Sequence, residues 1–117
     1  MKGKLGDKQR LLHIVDAIIE IENYTANIDF DTFLRNSMMR FASIKQIEII
    51  GEAANLISED SKNKFTEIEW RQIIGMRHVL VHEYFGVDNG LVWQIIINDI
   101  PALKAKIENI ITSINDE

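Results

Sequence analysis

The chain has 117 residues, which fits one domain with one core spanning 1–117 and leaves no room for a second. Hydrophobic residues make up 46% and charged residues 26%, the balance of a soluble globule. The absence of cysteine excludes a disulfide framework and a cysteine-based zinc site. A net charge of −5 argues against a general nucleic-acid coat protein, which would be basic, so any RNA site must be local or built by two chains together. A domain this small has little to spare for a deep private cleft, and an enzyme of this size is expected to share its site between subunits. The N-terminal MKGKLGDKQR is polar and lacks the apolar core of a signal peptide, and no apolar run approaches the ~20 residues of a membrane span. The chain therefore reads as cytoplasmic, without a membrane partner.

Helical periodicity dominates, and no stretch alternates with period two. Four helical segments are expected. The first covers about 7–27, with Leu11, Ile14, Val15, Ile18 and Ile21 on one stripe, closed by Asn27-Ile28-Asp29. The second begins at Asp31 as N-cap and runs to about Glu59, with Leu34, Met38, Phe41, Ile44, Ile47, Ala54 and Ile57 at helical spacing. Gly51 interrupts it, where a missing side chain permits close packing with another helix. Ser58 to Lys64 is polar and reads as a fraying end or loop. The third opens with the capping box Thr66-Glu67-Ile68-Glu69 and stops near Gly86. The fourth covers about 89–114. Pro101 removes a backbone donor and clashes with the preceding turn, so a kink or restart is expected near Asn98 to Pro101, with Asp99 as a cap for the second half. Helices with short links predict an all-α, up-down antiparallel four-helix bundle.

The third segment carries the chemistry. At about 100° per residue, Trp70, Ile73, Ile74, Leu80, Val81 and Tyr84 form an apolar arc with Arg77 in its middle. A guanidinium on a core-facing stripe stays charged and needs a carboxylate such as Glu52, backbone carbonyls or an anionic ligand. Arg71, Gly75, His78 and His82 fall together on a neighbouring face, a protonatable strip that an anion or a second helix could approach over Gly75. A histidine on a helix is most often an ordinary boundary residue. The four-residue spacing of His78 and His82 can also hold a metal, but only His13 remains as a further histidine and Glu83 points elsewhere on the wheel, so no metal site is expected. Tyr84, Trp70 and Trp93 taken singly read as core aromatics.

Arg77-x4-His82-x-Tyr84 resembles the R-x4–6-H motif of HEPN domains and, more closely, the R-x4-H-x-Y signature of HepT-like proteins. Three blocks in order strengthen the resemblance: QIEIIGEAA at 46–54, WRQIIGMRHVLVHEYFGVD at 70–88, and 91–103 with Trp93, Asn98, Asp99 and Pro101. The position after the motif arginine, often asparagine in this family, is His78 here; other HEPN proteins also carry histidine there. The resemblance implies a HEPN-like bundle that dimerises and brings two motifs into one cleft. It also implies a metal-independent endoribonuclease without a cofactor, acting as the toxin of a toxin–antitoxin pair. The expected partner is an MNT-type nucleotidyltransferase antitoxin, which can transfer AMP to the tyrosine corresponding to Tyr84.

Elementary chemistry agrees with that assignment. Cleaving RNA without a metal needs a base for the 2′-hydroxyl, an acid for the leaving 5′-oxygen and positive charge near the phosphorane. His82 of one chain and its mate across a dimer would supply base and acid, since histidine as a residue type titrates near ~6.5. Arg77 would hold the phosphate, while His78, Tyr84 and Arg71 would support RNA binding. One alternative is a non-catalytic module that uses Arg77 and His82 to hold a nucleotide or an acidic partner, and the net charge of −5 favours it. A purely structural bundle explains the stripes but leaves Arg77 on the core face without a purpose.

Overall fold

The computed structural model describes the backbone of residues 2–82 and 88–115, with side chains over 6–76 and 88–115. Among the described residues the regular structure is entirely helical, with no strand. Helix α1 spans Lys2–Thr25. It buries Leu11, Ile14, Ala17, Ile18 and Ile21, the stripe that the sequence predicts, with Val15 half-buried at its edge. Asn27, at φ 59°, turns the chain out of the helix in a conformation that asparagine tolerates better than most residues.

The expected second helix is two helices. Asp29, rather than Asp31, caps α2 (Phe30–Arg35), its Oδ1 accepting from the Thr32 N–H at 2.8 Å. Asn36 then does two jobs. Its N–H donates to the Phe33 carbonyl and closes α2, while its Oδ1 accepts from the Met39 N–H at 3.0 Å and starts α3 (Ser37–Leu56). The break resets the helical phase. Phe33 becomes fully buried against Trp93, whose ring centroid is 5.1 Å away, whereas Leu34, Met38 and Phe41 are exposed although they continue the sequence stripe. From Ile44 onward the stripe holds, and α3 buries Ile44, Ile47, Ile50, Ala53, Ala54 and Gly51.

The polar stretch after α3 is also helical. Ser58 caps the short α4 (Glu59–Lys64), with Ser61 N–H donating to its Oγ, and acidic residues open and lysines close the turn as the helix dipole favours. Helix α5 spans Trp70–His82, α6 spans Asn89–Gln94 behind the N-cap Asp88, and α7 spans Ile100–Asn115. Between α6 and α7 the chain never leaves helical geometry. Ile95–Asp99 widens into a π-helical turn, in which the Ile100 N–H reaches back to the Ile95 carbonyl. Thus the irregularity expected near Pro101 is a wide turn that accommodates the proline without a restart, and Asp99 lies inside that turn instead of capping a new helix.

Side-chain links fix the topology. Asp7, at the start of α1, meets Ser58 and Ser61 beyond the end of α3, and Tyr24 near the end of α1 meets Gln46, so α1 and α3 run antiparallel. Lys104 of early α7 donates to Glu22 of late α1 at 3.0 Å, which makes that pair antiparallel too. Helix α3 sits between α1 and α5, and α1 between α3 and α7. The core lies among these rods, closed at one end by Phe65, Ile68 and Trp70 and at the other by Phe33 and Val92.

The Asp7 link is a buried carboxylate, only 2% exposed. It accepts from the Ser58 N–H at 2.9 Å, the Ser58 hydroxyl at 2.6 Å and the Ser61 hydroxyl at 2.5 Å. Burial by itself would raise its pKa. The three donors, with the nearby Arg10 charge, outweigh burial and hold the carboxyl below its ordinary value.

Candidate active site on the fifth helix

The start of α5 is set by burial. Phe65 and Ile68 are both buried, so the chain turns tightly between them, with the Ile68 N–H donating to the Phe65 carbonyl. The Trp70 indole N–H donates to the same carbonyl at 3.0 Å. Thr66 and Glu67 are taken up in this turn, and the helix starts after Glu69, whose carbonyl accepts from the Ile73 N–H. The capping box at Thr66 is therefore displaced by three residues, because burying Phe65 and Ile68 outweighs a local cap worth about 1 kcal/mol.

Along α5, Trp70 and Ile73 are buried against the core, Ile74 and Met76 are half-buried, and Arg71, Gln72 and Gly75 are exposed. The face carrying Arg71 and Gly75 is open: a Cβ built on Gly75 would meet nothing within 4 Å. The helix continues through Arg77, His78 and His82. By helical register His78 and His82 extend the open Arg71–Gly75 line, and Arg77 shares the line of Trp70 and Ile73. Arg77 and His82 stand about 7.5 Å apart along the axis and about 140° around it. The side chains of Arg77, His78 and His82, and all of Tyr84, lie outside the described residues. The C-terminal stop expected at Gly86 does too. Glu52, the carboxylate considered for Arg77, is exposed on α3 and lines a groove with α1.

Helix α5 leans on α3 and leaves a cleft of about 180 Å³ on the side facing α7. Ile73 and Met76 of α5 and Ile100 and Leu103 of α7 form its walls, with Glu69 and Asp99 at the rim. This cleft lies on a different face of α5 from the Arg71–Gly75 strip. A second opening lies between α1 and α3 and brings Arg10, His13 and Glu52 together. Sequence reading does not find it. His13 stands out only as the third histidine, and nothing in the spacing of α1 announces that Glu52 lies across from it.

The fold and the α5 sequence define a small helical bundle that carries an R-x4-H pair on one helix beside an open face. The chain belongs to the ribonuclease HepT-like family, whose model matches residues 14–110. Three relatives align over most of their own length. A Methanocaldococcus jannaschii protein named as an RNase is 38% identical over 91% of this chain and 97% of its own. A Thermococcus cleftensis protein named as a ribonuclease HepT is 43% identical over 92% of this chain and 97% of its own. A second M. jannaschii protein named as an RNase is 36% identical over 92% and 88%. All three names assign the ribonuclease activity provisionally. No solved structure gives a significant match. No helix among the described residues is long and apolar enough to cross a membrane.

Proposed function

We propose that this protein is the toxin of a toxin–antitoxin pair: a cytoplasmic, metal-independent endoribonuclease that works as a homodimer. The observation that carries the reading is the intact Arg77-x4-His82-x-Tyr84 motif inside the matched span 14–110. In this reading His82 of one protomer removes the proton from a ribose 2′-hydroxyl, whose oxygen attacks the adjacent phosphorus. The partner's motif histidine protonates the departing 5′-oxygen, and Arg77 of each chain stabilises charge on the phosphorane. Within one helix Arg77 and His82 diverge by about 140°, so groups from two chains converge on one phosphate more readily than groups from one. The open face at Arg71 and Gly75 supports the approach of RNA or a second helix, with His78 and Arg71 beside the phosphate path.

Neutralisation is assigned to a nucleotidyltransferase of the MNT type that transfers AMP from ATP to the Tyr84 hydroxyl, the tyrosyl oxygen replacing pyrophosphate on the α-phosphorus and its proton passing to solvent. The added phosphate and bulk at the cleft would repel RNA. The test is cleavage of RNA by the purified protein in EDTA, with His82→Ala and Arg77→Ala as controls. Loss of cleavage in both variants, with their helicity unchanged, is the expected result. Full activity in either variant would refute the mechanism. An inactive wild-type dimer whose Tyr84 is unmodified by mass spectrometry would instead establish the non-catalytic binding module.

A further inference from the structure

The groove between the first half of α1 and the last half of α3 holds about 390 Å³, within the range of small-ligand sites. Its floor is aliphatic, made by Ile49, Ala53 and Leu56, and Leu56 is 55% exposed at the mouth. Arg10 and His13, three residues apart, line the α1 bank, and Glu52 lines the α3 bank. Among the described residues none of these three side chains makes a hydrogen bond or a close ion pair, although Arg10 lies near enough to the Asp7 carboxylate to favour its ionised form. The Arg10 guanidinium lies across Gly6, where an added Cβ would sit 2.7 Å from its Nη1, so the bare glycine provides its seat. Helix α3 separates this groove from α5.

A ligand that satisfies the groove needs an anionic end for Arg10 and His13, a flat apolar body for the floor and N–H donors for Glu52. A nucleotide has all three. Its phosphate suits a guanidinium fork, and its base can lie on Ile49 and Leu56. Glu52 then selects among the bases, because a carboxylate only accepts. Guanine presents two adjacent donors on one edge, N1–H and the N2 amino group, which match the two carboxylate oxygens. Adenine, cytosine and uracil each pair a single donor on that edge with acceptors that the carboxylate repels.

We propose that the α1/α3 groove is a guanine-nucleotide subsite, with Arg10 and His13 on the phosphate and Glu52 on the base. The guanine comes either from a free nucleotide or from an unpaired residue of RNA, and only the RNA source rests on the ribonuclease reading.

The experiment uses the full chain carrying His82→Ala, so that binding is read without cleavage. Titration with 5′-GMP, 5′-AMP and 5′-UMP is followed by amide chemical shifts, then with single-stranded RNA containing one guanine or none. Shifts confined to residues 6–13 and 49–56, with GMP bound at least tenfold tighter than AMP or UMP, are expected. Glu52→Gln should erase that preference, and Arg10→Ala should weaken every nucleotide at least tenfold. Glu52→Gln should keep the parent's thermal midpoint, and Arg10→Ala, which also removes a charge beside Asp7, is read at a temperature where it is fully folded. Tighter binding of the guanine-containing RNA than of GMP identifies RNA as the source, and binding of GMP alone identifies the free nucleotide. With GMP, shifts confined to residues outside the groove, no binding, or binding equal to that of AMP and UMP and unchanged by Glu52→Gln would overturn the proposal. Absence of RNA cleavage by a wild-type chain whose Tyr84 is unmodified would sink the ribonuclease reading and leave a positive GMP result standing.

Discussion

Replacing Asp7 tests how the bundle is stapled. Its carboxylate collects three donors, from the Ser58 backbone and the Ser58 and Ser61 hydroxyls, at 2.5–2.9 Å and 2% exposure. Hydrogen bonds to a charged group contribute about 1.5–3 kcal/mol each, against about 0.5–1.5 for neutral ones. Asp7→Asn keeps the volume and removes the charge assistance, while also relieving the cost of burying a carboxylate. A net loss of about 1–2 kcal/mol is expected. Asp7→Ala strands the donors as well and should cost about 2–4 kcal/mol. The pH dependence follows from the lowered folded-state pKa. Near the ordinary value of 3.8 the unfolded chain binds the proton more readily than the folded one. The stabilisation is therefore complete above pH 3.8 and drains away as the pH falls through the lower folded value. Urea denaturation at pH 7 and at a series of values below 4 reads this directly. The gap between wild type and Asp7→Asn should be widest at pH 7 and close on the acid side, with the urea slope unchanged. Equal stability at pH 7, or a gap that persists on full protonation, would refute the account.

Two further substitutions test the fold around the site. Phe33 is fully buried and its ring packs at a tilt against Trp93, so Phe33→Ala should cost about 3–5 kcal/mol by chemical denaturation, whereas Phe41→Ala, at a position 66% exposed, should cost far less. A reversed order would mean that the break at Asn36 is misplaced. Gly75→Ala meets open space and removes a helix-interior glycine, so it should stabilise the fold by about 0.5–1 kcal/mol. If that same variant lowers RNA cleavage, the open face is where RNA or the second protomer approaches; unchanged cleavage would place the approach elsewhere.

Amino-acid order alone determined the fold class, the α1 stripe and the second half of α3. Leu11, Ile14, Ile18 and Ile21, then Ile44 and Ile47, repeat with the helical period and have one way to be buried together. It also determined the motif, because Arg77-x4-His82-x-Tyr84 and its flanking blocks are patterns of residue identity. Tertiary structure decided where the period is broken. Phe33 and Phe41 are the same residue type, and Asn36 puts one in the core and leaves the other in solvent. It moved the start of α5 past a favourable capping sequence, since Phe65 and Ile68 gain more from burial than Thr66 gains from capping. It turned the disruption at Pro101 into a π-helical turn within an unbroken helix. The meeting of Arg10 and His13 with Glu52 is invisible in sequence for the same reason. Local periodicity fixes which face of a helix is apolar, but only packing decides which polar residues from distant parts of the chain stand across a groove from one another.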